Sequence, residues 1–197
     1  MWNERYANPQ YAYGTEPNTF LRENAHQLSG PVLSLAEGEG RNSVYLASLG
    51  FDVLGVDSSS VGLEKAQKLA RSRGVQIRTE VADLATYNPH RDTFRSVISI
   101  YCHLPKAIRR ELHHRIATAL VPGGLVLLEA YTPAQTAKPT GGPRDPEICP
   151  TATELQTEFP GFEFQRLVEL EREVIEGHYH TGWASVVQMI ARKPMPT

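Results

Sequence analysis

Cysteine is almost missing from this chain. Only Cys102 and Cys149 occur among 197 residues, with no Cys-x-x-Cys pair, which excludes a disulfide framework and a cysteine-built zinc site. A charge bias is missing too: 20 Lys and Arg stand against 22 Asp and Glu, a formal net charge of −2, so no overall field draws the chain to nucleic acid. No apolar run approaches the roughly 20 residues of a membrane span, and residues 1–10 are polar, without the apolar core of a signal peptide. These absences lead us to expect a cytoplasmic monomer or homodimer with neither nucleic-acid nor membrane partners. There is no internal repeat, and 41% apolar residues over this length suit one domain, 1–197, with a full core.

What is present is concentrated near the first glycines. Val32–Leu35 reads as a short apolar strand, followed by Ala36, Glu37, Gly38, Glu39 and Gly40, then by a helical pattern from Arg41 to Leu49 stopped at Gly50, and by a second strand ending at Asp57. This is a βαβ unit with its glycines at the first turn. Glycines there let backbone approach a ligand, the helix start offers free N–H donors, and an acid ending the second strand can accept ribose hydroxyls. Ser43 stands where a dinucleotide fingerprint needs its third glycine. That disfavours a nicotinamide-dependent oxidoreductase, as does the lack of a Tyr-x-x-x-Lys pair.

Alternation of strands and helices continues. Ser58–Ser60 caps a helix through Ala70 that ends at Gly74, Val75–Val81 is a third strand, and Ser96–Ile100 is a fourth. Ile108, Leu112, Ile116 and Leu120 recur along a helix stopped by Pro122, Gly123 and Gly124, before the strand Leu125–Leu128. Thr151 and Glu154 form a possible capping box, and two strands near Phe162–Ile175 and Ala184–Ala191 read as a terminal antiparallel pair. The expected fold is α/β: a Rossmann-like three-layer sandwich on a seven-stranded, mostly parallel sheet with a C-terminal antiparallel strand. Residues 131–150, rich in Pro and Gly and without an apolar period, are expected to be a substrate lid because they follow the fifth strand. His113 and His114, adjacent and so diverging on a helix, are expected to be surface or capping residues, and Arg109 with Arg110 a solvated helix face. His178 and His180 would share one strand face, at a substrate mouth; with no third ligand evident, no metal is expected.

Taken in order, the Ser34–Asn42 loop, Asp57, the Ala82–Leu84 turn, the strand end Ser99–Pro105, Pro122–Gly124 and the C-terminal strands resemble the class I S-adenosylmethionine-dependent methyltransferases. Within them the chain is similar to the small proteins grouped with tellurite-resistance and thiopurine methyltransferases. Trp2–Tyr6 and Tyr13–Asn18 look like that subgroup's segment leading to the cofactor pocket, a cap over residues 1–30. The resemblance implies S-adenosylmethionine as cofactor, S-adenosylhomocysteine as product, and a small-molecule or oxyanion acceptor.

It also implies roles. Ala36, Gly38 and Gly40 would admit the methionine moiety, whose carboxylate would face N–H groups near Arg41. Asp57 and Ser58 would hold the ribose, Asp83 and the Leu84 N–H the adenine, and Tyr101 would flank the ligand. The family usually has an acid at Ser34 and a glycine at Ala36. Glu37 is the replacement candidate for the missing charge, and Ala36 is expected to keep ordinary backbone angles. His103 is the candidate general base by position, with a structural hydrogen bond as the other reading. Tyr13 would orient the acceptor or pack beneath the N-terminal segment. A non-catalytic cofactor-binding module is the further alternative, kept open by Ser34 and Ala36.

Overall fold

The computed structural model describes residues 2–177 and 179–196. A sheet of seven strands runs through it: β1 (Val32–Leu35), β2 (Val53–Asp57), β3 (Arg78–Val81), β4 (Phe94–Ile100), β5 (Leu120–Tyr131), β6 (Glu163–Glu176) and β7 (His180–Arg192), in spatial order β3-β2-β1-β4-β5-β7-β6. Strands β1 to β5 are parallel, and β7 pairs antiparallel with both β5 and β6. The helices are α1 (Trp2–Tyr6), α2 (Thr19–Asn24), α3 (Arg41–Ser48), α4 (Ser60–Ser72), α5 (Lys106–Ala119) and α6 (Ala152–Glu158). This is the expected fold.

The period-two rule of strands divides the core. In β5, Leu125 and Leu127 join Phe20, Leu21 and Leu46 on one face, while Val126 and Leu128 join Leu112, Ile116, Leu155 and Phe159 on the other. Helices therefore cover both faces, which a parallel sheet requires. The strand order reverses between β1 and β4, so the carboxyl ends of those strands open a crevice where loops meet.

The local signals decide most boundaries. Ser59 caps α4, its hydroxyl accepting from the Gly62 N–H, and Thr151 and Glu154 form both halves of the capping box on α6. The third strand is shorter than expected, because Val75 and Ile77 instead pack beside α3 and α4. Strand β5 begins earlier than expected: Leu120 already pairs with Phe94, and an irregularity then absorbs Pro122–Gly124 before Leu125 pairs with Ser96.

Two solvated positions were expected where the structure buries charge. Arg109 and His113 are almost fully enclosed between α5 and α6. Arg109 lies three residues before Leu112 and His113 three before Ile116, on the inward stripe of α5, so helical spacing leaves them no solvent. Glu158 compensates, accepting from Arg109 at 2.9 Å and from His113 Nδ1 at 2.6 Å. Burial acts to raise the Glu158 pKa, but the His113 and Arg109 hydrogen bonds outweigh it and hold the group below its ordinary value. Removing one partner of such a set strands the others without water. Glu158→Ala should therefore cost about 3–5 kcal/mol in urea unfolding, whereas the joint change of Arg109→Met, His113→Leu and Glu158→Leu should cost less. A loss under about 1 kcal/mol for Glu158→Ala, the range of an exposed pair, would refute the assignment.

Candidate functional site

A cavity of about 600 Å³ opens at the carboxyl ends of the parallel strands, within the roughly 300–1,000 Å³ range of ligand pockets. Its first wall is the loop after β1. Ala36, Glu37 and Gly38 line the cavity, and Arg41 and Asn42 begin α3 beside them. The Gly38 N–H donates to Asp57 Oδ2 at 2.8 Å, and Oδ1 accepts from the Ser59 N–H at 2.8 Å. Burial raises the Asp57 pKa above its ordinary value, against these N–H donors. Asp57 thus fixes the loop while its oxygens keep lone pairs for a ligand. Ser58, Asp83 and Leu84 continue the wall at the ends of β2 and β3. Asp83 accepts from the Ala85 N–H at 2.9 Å.

Gly40 departs from this group, since it does not line the cavity. Its φ is +95°, and a Cβ there would stand 2.6 Å from the Ala66 Cα, so its lack of side chain serves the packing of α3 on α4.

Glu37 turns away from solvent. Ser43 donates to it through its backbone N–H at 3.3 Å and through its hydroxyl, and Ser34 bonds it as well. A Cβ on Gly55 would lie 2.7 Å from Glu37 Cγ, so Gly55 makes the room. The Glu37 carboxyl group folds back to the end of β1, next to Ser34. Its burial raises the pKa to about 7, with the serine bonds working against that rise. Ala36 does not keep ordinary angles: its φ is +50°, because the turn demands a left-handed residue that Ala adopts only with strain.

The second wall comes from the other half of the sheet. Tyr101, also left-handed at φ +53°, turns the chain at the end of β4 and donates its hydroxyl to Glu129 at 3.1 Å. Glu129, in the apolar β5, has no exposure. It accepts from Asn18 at 2.8 Å, from Arg172 at 3.0 Å and from Gln188. Asn18 also donates to Glu176 at 2.8 Å, and Glu176 pairs with Arg41 at 2.6 Å. Sequence reading missed this cluster; its signal was the pair of glutamates inside otherwise apolar or alternating strands.

His103 lines the cavity, but its Nε2 accepts the Tyr131 N–H at 3.0 Å. Burial lowers its pKa to about 4. The ring is held neutral with its lone pair engaged, an arrangement suited to tying the β4 loop to β5. Tyr13 lines the cavity as well, accepting from Arg5 at 3.0 Å and packing its ring 4.5 Å from His180. It reaches there because Gly177 lacks a Cβ, which would lie 2.3 Å from the Tyr13 carbonyl carbon. His180 stands at the start of β7; His178 lies outside the described residues. Among the described residues no group of three or more metal-ligating side chains forms, and no helix is long and apolar enough to cross a membrane.

The segment 131–150 is anchored at its start and middle. Tyr131 belongs to β5, and buried Gln135 accepts from the Ser185 N–H at 2.8 Å and donates to Thr140 at 2.9 Å. Gly141, Gly142, Pro143 and Arg144 then form part of the cavity rim. From the other side, Glu39 ties down the N-terminal segment by accepting the Ala12 N–H at 2.7 Å and pairing with Lys65.

Comparison with known proteins agrees with this geometry. Residues 32–124 match a family model described as a methyltransferase domain. The 2-heptyl-1-hydroxyquinolin-4(1H)-one methyltransferase of Mycobacteroides abscessus is 24% identical over 149 residues, 72% of this chain and 66% of that protein. Glycine/sarcosine N-methyltransferase of Halorhodospira halochloris is 32% identical over 122 residues, 58% of this chain and 45% of that protein. The chain thus spans just under two thirds of the first relative and less than half of the second.

Two solved structures share the fold. A protein from a study of the conversion of a disulfide bond into a thioacetal group during echinomycin biosynthesis superposes with a TM-score of 0.80 at 20% identity, covering 99% of this chain and 89% of its own. The N-methyltransferase NodS from Bradyrhizobium japonicum WM9, in complex with S-adenosyl-L-homocysteine, gives 0.73 at 14% identity, covering 98% and 96%. The fold is that of the class I methyltransferases. Residues 32–124 are thus similar to a methyltransferase domain, and the fold is shared with a protein solved in complex with S-adenosyl-L-homocysteine.

The strained Ala36 yields a direct test. Ala36→Gly should raise stability by about 1 kcal/mol, less the backbone entropy that glycine adds to the unfolded chain. Loss of stability on that change would mean that the Ala36 methyl packs more tightly than its backbone is strained.

Proposed function

We propose that this chain transfers the methyl group of S-adenosylmethionine to a small-molecule acceptor bound in the same cavity. The observation that carries the reading is the convergence of Asp57, Asp83 and the Gly38 loop on one cavity at the reversal point of the sheet. In this reading Asp57 accepts from the ribose hydroxyls, with Ser58 along the same edge. Asp83 accepts from the adenine amino group, and the Leu84 N–H donates to the ring. Gly38 leaves space for the methionine chain, while the N–H groups at the start of α3, near Arg41 and Asn42, face its carboxylate. Ala36 and Tyr101 flank the ligand.

The cofactor supplies an activated methyl group on a sulfonium that leaves readily. The protein's own task is to hold a nucleophile in line, at near-attack distance, and to exclude water. The N-terminal segment around Tyr13 and residues 131–150 close the mouth from opposite sides, which is the lid role proposed for them. General-base catalysis by His103 is not needed. Its Nε2 is occupied and protonates only near pH 4. Placement in the tellurite-resistance and thiopurine-type subgroup is part of the same proposal, supported by the Gly38–Asn42 run and the N-terminal segment.

Two titrations test the site. Asp57→Asn replaces one accepting oxygen with a donor, so S-adenosylhomocysteine affinity should fall roughly ten- to a hundredfold; unchanged affinity would remove Asp57 from the ribose site. Glu37 is proposed to meet the cofactor ammonium. An ammonium favours the ionised carboxyl, so binding should expel the proton that Glu37 retains below about pH 7. Affinity for S-adenosylhomocysteine should therefore rise with pH through that region and then level off, while adenosine, lacking the ammonium, shows no such rise. Glu37→Gln should abolish the slope. Parallel pH profiles for the two ligands would show that Glu37 only shapes the loop.

A further inference from the structure

Three polar atoms facing the cavity are buried and have no hydrogen-bond partner: Arg41 Nη1 at the start of α3, and Tyr131 Oη and His180 Nδ1 on the second wall. All three residues are more than nine-tenths buried, and all three line the same cavity. An unpaired buried donor costs free energy that a fold does not spend without return, so each is a place where a ligand atom is expected. Arg41 is held with its other terminal nitrogen on Glu176, which leaves Nη1 fixed in direction. Tyr131 ends β5 and His180 starts β7. Tyr131 and His180 therefore stand on the β5–β7 side of the sheet reversal, and the Arg41 side chain reaches toward them from the start of α3 through its pair with Glu176 on β6.

The surroundings define what would fit. The Tyr101 ring lies 4.6 Å from Tyr131 and 4.9 Å from His180, and Tyr13 lies 4.5 Å from His180, so rings form that side of the cavity. The carboxylates of Glu129 and Glu176 are matched by Arg172 and Arg41, while Arg5 and Arg144 add positive charge at the rim. Burial lowers the His180 pKa to about 3, with the positive charges of Arg41 and Arg5 adding to it. A cationic amine is disfavoured there. His103 has its Nε2 on the Tyr131 N–H and both imidazoles of this wall are held below their ordinary pKa, which suits a nucleophile that arrives already deprotonated. The Arg41 N–H and Tyr131 O–H donors, joined by His180 in its Nδ1–H tautomer, also suit oxygen better than sulfur, which accepts hydrogen bonds weakly.

We propose that this end of the cavity is the acceptor subsite, and that it takes a flat ring bearing an anionic oxygen, a phenolate or ring enolate, held by Arg41, Tyr131 and His180. The inference rests on the cofactor reading above for its chemistry. An oxygen lone pair forms the new O–CH3 bond, the C–S bond breaks with its electron pair left on sulfur, and anion and sulfonium become a neutral ether and a neutral thioether with no proton to move.

The test uses 4-nitrophenolate as probe and its neutral ether, 4-nitroanisole, as control, titrated into the full chain with and without S-adenosylhomocysteine. Wild type should bind the phenolate in preference to the ether. Tyr131→Phe keeps the ring and deletes a hydroxyl that has no partner. It should leave thermal stability unchanged or raised and S-adenosylhomocysteine affinity unchanged, yet weaken the phenolate about tenfold or more. His180→Phe should do likewise. With S-adenosylmethionine present, loss of phenolate absorbance should accompany formation of 4-nitroanisole. Equal binding of phenolate and ether, or phenolate affinity insensitive to both variants, overturns the subsite. Failure of S-adenosylhomocysteine to bind, while the phenolate still binds in a Tyr131-dependent way, overturns the cofactor reading and leaves the subsite standing.

Discussion

Glu129 sits in the middle of the molecule with its carboxylate shut off from water, and the rest of the site is arranged by the need to satisfy it. Burying such a group costs several kcal/mol unless charge and hydrogen bonds compensate. The compensation comes from distant parts of the chain: Asn18 before α2, Tyr101 after β4, Arg172 on β6 and Gln188 on β7. Arg172 and Asn18 also serve Glu176, and Glu176 in turn holds Arg41 at the start of α3. One buried acid thus draws together the N-terminal segment, the cofactor loop and the β6–β7 hairpin. Weakening it would loosen all three at once.

A second acid performs the corresponding task on the other wall. Glu37 lies between Ser34, Ser43 and Gly55 and places a carboxyl group at the end of β1. Asp57 and Asp83 lie on the same side. The cavity is therefore divided by charge, acidic where a nucleoside and an ammonium would sit and basic around Arg5, Arg41 and Arg144. On the proposed reading, that division would seat the cofactor and an anionic acceptor at opposite ends of one crevice.

The parts of this arrangement that were legible in the sequence are local. Gly38, Asp57, Asp83 and the capping box at Thr151 are marked by short-range spacing within single βα units, where strand length and turn chemistry fix what comes next. The Glu129–Glu176 cluster behind the second wall was hidden, because its residues meet only through the β5–β7–β6 pairing; Asn18 and Glu176 are 158 positions apart. Gly40 carried the right residue type for a ligand turn but serves helix packing. Arg109 and His113 were misread as solvated because charge was given more weight than their spacing with Leu112 and Ile116, although the spacing decides which way a helical side chain points. The backbone strain at Ala36 could not be read at all, since nothing in the residue's identity reports a positive φ.

The measurement that bears most directly on the account is a crystal structure of the protein with S-adenosylhomocysteine. The ribose should lie on Asp57, the adenine against Asp83 and Leu84, and the ammonium near Glu37, with Arg41 Nη1, Tyr131 Oη and His180 Nδ1 left free of the cofactor and facing the space beyond its sulfur. A nucleoside bound away from Asp57, or a methionine carboxylate seated on Arg41 Nη1 and Tyr131, would contradict the division of the cavity on which the account depends.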